Sequence, residues 1–178
     1  MERAPEFDLV LVEPQEAYKE AFLRMVEEYR AAGEVECFNR YKEAPTDFDG
    51  YLQKLKEQRK HWEGWVPTHS YWLQDAGRIA GVTRIRPVLT LDEARLYAGH
   101  IGYDIAPLSR KKGYGSVLLG LALEKARLLQ RDKVLLTCDV GNTGSQKIIE
   151  KHGGILESVV VMPETNKELR RYWITLAM

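Results

Sequence analysis

Between Gly99 and Asp139 the chain passes from a β-rich segment (GHIGYDI) through a proline at Pro107 and a glycine turn into a helix, then into the apolar run KVLLTCD. Leu118, Ala122, Ala126 and Leu129 recur at helical spacing, which predicts a helix from Ser116 to about Gln130 with one face against a sheet. Lys133 to Asp139 is almost continuously apolar, as a strand buried on both faces requires. Strand, turn, helix and strand in this order form a βαβ unit, which excludes all-helical and all-β folds. The rest of the chain has to be arranged around it.

Upstream, Phe7 to Val12 reads as a first strand that hands over at Pro14 to a helix. Tyr18, Phe22, Met25 and Tyr29 share one face of that helix, which should end near Gly33. Residues 34–46 show no period and read as a loop. Thr46 to Asp49 resembles a cap, followed by a second helix running to about His61. His69 to Gln74 and Arg78 to Val88 form a predicted hairpin about Asp75-Ala76-Gly77, and Thr90 to Leu96 an excursion. Downstream, Thr143 to Gln146 fits a capping box for a short helix stopped by Gly153-Gly154; Ile155 to Met162 and Leu169 to Leu176 follow as strands. No repeat or linker divides these elements, so residues 7–178 are expected to form one domain after a short extension, 1–6.

With 178 residues, 44% of them hydrophobic, the chain can bury one substantial core. Its 26 basic and 26 acidic residues cancel, so no net field favours nucleic acid or an anionic membrane. Cys37 and Cys138 lack the paired spacing of a disulfide framework or a zinc site, and no metal is expected. The N-terminal segment mixes acids and prolines into its only apolar run and is no signal peptide, so a cytoplasmic protein is expected.

The segment Arg110-Lys111-Lys112-Gly113-Tyr114-Gly115 carries the chemistry. It places three cations and two glycines where a helix begins, and a helix start offers unsatisfied N–H groups and the positive end of a dipole to an anion. Two phosphate-binding loops fail on spacing. The nucleotide-hydrolase loop needs Gly-Lys-Ser/Thr, whereas this one ends Gly115-Ser116; the dinucleotide fingerprint needs glycine or alanine where Leu118 stands.

Arg110-x-x-Gly113-x-Gly115 after a strand ending Ile-x-Pro resembles the acetyl-CoA motif of the GCN5-related N-acetyltransferase (GNAT) superfamily. HIGYDI, DKVLLTCD, Lys151-His152-Gly153-Gly154 and RYWI look most like a bacterial group of acetyltransferases within it. The resemblance implies an α/β (α+β) fold: a mixed, mostly antiparallel sheet of about seven strands with about four flanking helices, splayed at the strand before the loop. It implies acetyl-CoA as co-substrate, with the backbone of Ile105 and Ala106 along the pantetheine arm. Lys111, Lys112, Gly113, Tyr114, Gly115 and Ser116 would hold the pyrophosphate, and Arg110 the phosphates. Asn142 resembles the asparagine that contacts the cofactor arm, or else is a turn or N-cap residue.

Members often carry a tyrosine acid seven residues after that asparagine, where this chain has Ile149. His100 and Tyr103 are the nearest titratable candidates for the proton relay. Strand alternation sends His100 and Asp104 to one face and Tyr103 to the other, where core packing competes for it. Cys138 reads as inert core. The acceptor, a small-molecule or peptide amine, is expected between the first two helices and the C-terminal hairpin. Glu34, Glu36, Tyr41, Asp47 and Asp49 make that connection acidic, while Arg170 and Arg171 offer the opposite charge. The expected activity is N-acetyl transfer; an acyl-CoA-binding sensor with little turnover is the alternative, and a homodimer stays open.

Overall fold

The computed structural model describes residues 9–60, 64, 66–129 and 131–176. The expected extension 1–6, the first two residues of the predicted first strand, and the expected helix ends at His61 and Gln130 lie outside them. Strand β1 (Val10–Val12) leads through a 3-10 turn at Glu16–Tyr18 into α1 (Lys19–Ala31). That helix stops as its sequence predicts: Gly33 N–H donates to the Arg30 carbonyl (3.1 Å) and Glu34 N–H to that of Tyr29 (3.0 Å), a Schellman pair.

A further helix, α2 (Val35–Tyr41), occupies the segment expected to be a loop, so five α-helices replace the four expected. Tyr41 is buried and Cys37 and Phe38 pack partly buried against the same core, but this stripe spans little more than one turn and no side chain caps the helix, so no clear period marks it. Asp47 accepts from Gly50 N–H (2.9 Å) and starts α3 (Phe48–Glu57). Phe22 of α1 stacks on Trp72 with ring centroids 4.1 Å apart, and Tyr41, Phe48 and Tyr51 complete an aromatic core under α1–α3.

Strands β2 (His69–Asp75) and β3 (Arg78–Ile85) form the expected hairpin, with Pro87 following soon after β3. A π-helical turn at Ala94–Ala98 precedes β4 (Ile101–Ile105). Helix α4 (Tyr114–Leu128) starts two residues earlier than predicted, and β5 (Lys133–Asp139) matches its prediction. Helix α5 (Thr143–Lys151), β6 (Ile155–Met162) and β7 (Lys167–Thr175) close the chain.

The seven strands divide into two antiparallel sheets, ordered β1-β2-β3-β4 and β5-β7-β6. The sheets touch where Gly99 bridges Leu136 and where His100 N–H donates to the Leu135 carbonyl (2.7 Å). Gly99 sits at φ +70°, and a Cβ there would lie 2.5 Å from the Leu135 carbonyl oxygen, so the approach requires glycine. Beyond this point β4 and β5 part. Leu118 and Tyr114 of α4 pack with Leu73 and Ala80 of the first sheet, while Leu119, Ala122 and Ala126 pack with Val134, Leu136 and Tyr172 of the second. One helix thereby spans the divide. Among the described residues, no helix is long and apolar enough to cross a membrane.

Candidate active site

Helix α4 begins at a residue with a left-handed backbone. Gly113 is its N-cap, at φ +90° with open space where a Cβ would stand, and no side chain caps the helix. Among the described residues, no acceptor takes the amides of Lys111, Lys112, Gly113 or Gly115. Adjacent unengaged N–H groups at a helix start are what a pyrophosphate needs, so the turn fits that group.

The side chains around the turn do other work. Arg110, expected on the phosphates, makes a bidentate pair with Glu34 (2.5 and 2.8 Å) and donates from Nε to the Ile105 carbonyl (3.0 Å). Lys112 donates to the Leu108 carbonyl (2.8 Å), leaving Lys111 as the exposed loop cation without a partner among the described residues. Tyr114 donates to Asp75 (2.5 Å), and Ser116 Oγ meets His152 Nε2 at 3.1 Å. A Cβ on Gly115 would approach Ile148 Cδ1 to 2.7 Å, so this glycine lets α4 and α5 pack closely. Within this loop the backbone from Lys111 to Gly115 leaves amides open to an anion, and Arg110 and Lys112 brace the turn.

The ladder phase of β4 decides which backbone groups face the parting. Arg86 N–H donates to the His100 carbonyl (2.7 Å) and Ala106 N–H to that of Ala80 (2.9 Å). In an antiparallel ladder, the residues between these bonds alternate, so even-numbered residues face β3 and Ile101, Tyr103 and Ile105 face the open edge. Ala106, expected along the pantetheine arm, has its N–H engaged by the Ala80 carbonyl and its carbonyl by Ser109 N–H (2.9 Å). The free edge lies at Tyr103 and at the Ile105 N–H, the Ile105 carbonyl accepting from Arg110 Nε.

A cavity of about 260 Å³ opens at this edge, with Tyr103, Thr137, Cys138, Asn142 and Ser145 in its wall. Tyr103 Oη lies 2.9 Å from Ser145 Oγ, and burial pushes the tyrosine pKa up to about 12, so the phenol stays protonated at neutral pH. Asn142 Oδ1 accepts from Ser145 N–H (3.0 Å), which makes Asn142 the α5 N-cap, one residue before the expected cap at Thr143. The same bond fixes Ser145 at the cavity. Ile149, at the usual tyrosine position, is fully buried in the core one turn further along. Sequence reasoning misses Ser145 as a site residue, because its partner is 42 residues away.

His100 does not join this group. It is 6% exposed, and its Nδ1 accepts from Leu135 N–H (2.9 Å), which places the proton of the neutral ring on Nε2. Burial, and then Arg131 and Arg86, push its pKa down to about 4. The ring faces a separate cavity of about 500 Å³ with Arg95, Arg131 and Trp173. A base needs an accessible lone pair, and His100 has used the one it holds when neutral. Cys138 is buried yet reaches the smaller cavity, and burial pushes its thiol pKa up.

Behind β4, Asp104 accepts from Tyr29 (2.6 Å), Tyr41 (2.7 Å), Arg84 (2.7 Å) and Arg40 (3.1 Å). Burial pushes its carboxyl pKa up, but Arg84, Arg40 and the tyrosine hydroxyl outweigh burial and hold it below the usual carboxylate range. The acidic connection expected to attract an amine is largely engaged: Glu34 by Arg110, Glu36 by Lys167 (2.6 Å) and Asp47 by the α3 cap. Arg171 is held by Glu157 (2.8 Å) and by the carbonyls of Arg95 and Leu96. Among the described residues, no group of three or more His, Cys, Asp or Glu side chains could hold a metal ion.

A family model described as an acetyltransferase (GNAT) domain matches residues 8–155. Among curated proteins, no sequence matches the chain. Solved structures sharing the fold include Mycobacterium smegmatis RimJ in complex with CoA-disulfide, at 16% identity and TM-score 0.72, covering 94% of this chain and 81% of that one. RimL, a ribosomal L7/L12 alpha-N-protein acetyltransferase in complex with coenzyme A, is 16% identical with TM-score 0.64, covering 98% and 97%. A spermidine N-acetyltransferase SpeG chimera from Vibrio cholerae and hSSAT is 17% identical with TM-score 0.62, covering 94% and 95%.

Proposed function

Because the chain belongs to the GNAT acetyltransferase family, we propose that it transfers the acetyl group of acetyl-CoA to a primary amine by direct attack within a ternary complex. The observation that carries this reading is the juxtaposition of an uncapped helix start with the open edge of β4 and a hydroxyl pair. The free amides of Lys111, Lys112, Gly113 and Gly115 suit the pyrophosphate, and the Lys111 side chain adds charge beside it. From there the open edge at Ile105 and Tyr103 offers backbone groups to the amides of a pantetheine arm. The coenzyme A found in two structures of the same fold supports the choice of donor.

The thioester end of such a donor would then lie at the cavity holding Tyr103 and Ser145. A neutral amine attacks the carbonyl carbon, a C–N bond forms, and the C–S bond breaks. The nitrogen gives up one proton and the departing thiolate takes one up. Tyr103 and Ser145, hydrogen bonded and protonated, can stabilise the thiolate and pass that proton. This pair supplies the hydroxyl chemistry that Ile149 does not. An acyl-CoA sensor is suggested by Ile149 alone, and the hydroxyl pair weakens that motive.

The test is thiol release from acetyl-CoA across a panel of primary amines, with Tyr103→Phe as the variant. Amine-dependent release is expected, with kcat lowered roughly tenfold to a hundredfold in the variant. Binding of acetyl-CoA without amine-dependent release would favour the sensor instead.

A further inference from the structure

The small cavity that holds Tyr103 and Ser145 is also walled by Arg40 of α2, Arg84 of β3 and Arg86 just beyond it, and among the described residues no carboxylate lines it. Asp104 behind the wall is shared by Arg84 and Arg40, at 2.7 and 3.1 Å. Arg84 and Arg40 share this one carboxylate, Arg40 also lies near Glu36, and Arg86 pairs with neither acid, so positive charge is in excess at the cavity. Arg86 has the least compensation: its Nη1 donates to the Gly99 carbonyl at 3.3 Å, and it has no ion pair among the described residues. Burial, and then the repulsion of Arg84 and Arg40, pull its pKa down to about 10, so it remains charged at neutral pH.

Gly102 lies directly beneath two of these arginines. A Cβ at Gly102 would lie 3.7 Å from Arg86 Nη1 and 3.9 Å from Arg84 Nε, so both guanidiniums lie over bare backbone. Arg86 is partly buried, and desolvating a cation held by one long hydrogen bond carries a cost that an arriving counter-charge would offset. The planar fork of a guanidinium matches a carboxylate or phosphate in shape and in donor spacing. A cavity of about 260 Å³ suits a small molecule better than a folded partner.

We propose that Arg86, with Arg40 and Arg84 beside it, is an anion subsite, and that the acceptor is a small primary amine bearing a carboxylate or other oxyanion. This rests on the acetyltransferase reading of the same cavity. The subsite anchors the acid group and thereby presents the amine towards Tyr103 and Ser145. The positive wall has a second effect: it disfavours the ammonium form, so the bound amine loses its proton more readily and becomes nucleophilic. A polyamine lacking an acid group would meet only repulsion.

The experiment compares amino acids with their carboxamides and with the corresponding decarboxylated amines in the thiol-release assay, using the full chain and its Arg86→Gln and Arg86→Lys variants. Acids are expected to exceed their neutral counterparts at least tenfold in kcat/KM. Arg86→Gln should raise KM for the acids at least tenfold and collapse the preference, and Arg86→Lys should restore part of it. Calorimetric titration with acetyl-CoA, with an expected change in Kd below twofold in Arg86→Gln, confirms that the variant is folded and keeps the donor site. Preference for neutral or cationic amines, or an acid preference that survives Arg86→Gln, overturns the subsite. Failure of acetyl-CoA to bind the parent protein overturns the acetyltransferase reading instead. In that event, titration of the same amino acids into the protein decides the anion site directly, and binding indifferent to Arg86→Gln overturns it.

Discussion

Replacing Asp104 with asparagine preserves shape and removes the charge on which two arginines and two tyrosines converge. The carboxylate is 11% exposed and Arg84 16%, so theirs is the buried pair, whereas Arg40 is 43% exposed and screened by water. Leaving Arg84 uncompensated should cost about 3–5 kcal/mol, and losing the Arg40 contact at most about 1. The tyrosines can still donate to an amide oxygen, and Arg84 keeps the Tyr41 hydroxyl at 2.9 Å, which favours the lower half of that range. At roughly 2–4 °C per kcal/mol for a chain of this size, Asp104→Asn should lower Tm by roughly 6–20 °C at pH 7.5. Differential scanning calorimetry with urea titration measures it.

The pH dependence gives an independent check. Asp104 binds its proton more weakly folded than unfolded, so its stabilisation is complete above the unfolded carboxylate value of about 4 and is lost as pH falls through the lower folded value. The gap between parent and variant should therefore narrow below about pH 4. A Tm within 2 °C of the parent at neutral pH (roughly 1 kcal/mol or less) would refute the account of this network.

Gly113→Glu places a Cβ and a carboxylate at a left-handed position inside the anion cradle, and acetyl-CoA affinity should fall about tenfold or more; unchanged calorimetric affinity in a folded variant would remove the loop from donor binding. His100 has a folded pKa of about 4, below the unfolded value near 6.5. Its contribution is therefore complete above about pH 6.5 and is lost as pH falls towards 4, amounting to roughly 1–3 kcal/mol. Urea midpoints at pH 7 and pH 5 should show that loss in the parent and much less of it in His100→Asn. Equal losses in both would assign the pH sensitivity to other groups.

Local signals in the sequence reach the scaffold and the loop proposed to hold the donor. The period of Leu118, Ala122 and Ala126 and the apolar run ending at Asp139 announce α4 and β5, because both depend on residues close together in the chain. Helix α2 escapes because its core contacts, Cys37, Phe38 and Tyr41, span little more than one turn and no side chain caps its start. The resemblance aims Arg110 at phosphate, and its pairing with Glu34, 76 residues earlier, is not visible in the sequence. The same distance effect hides Ser145 from Tyr103 and Arg40 from Asp104. One sign of the cationic wall is present: Arg84 and Arg86 stand two apart at a strand end, which places them on one face, and Gly102 stands opposite Arg84 in the ladder. Which charges are left over after pairing follows only from the folded arrangement.

Strand β4 faces two jobs from opposite sides, and this gives the molecule a modular character. The proposed donor cradle belongs to the α4 turn and the hydroxyl pair to β4 and α5, while the arginine wall belongs to α2, β3 and the residue after β3. Substitutions at Arg40 or Arg86 can therefore redirect which amines are accepted while the donor turn is inherited intact. Arg110 and Glu34 are the exception, since their pair ties the donor loop to the residue preceding α2. Divergence in acceptor choice should accordingly run through β3 and α2 first, and reach that clasp last.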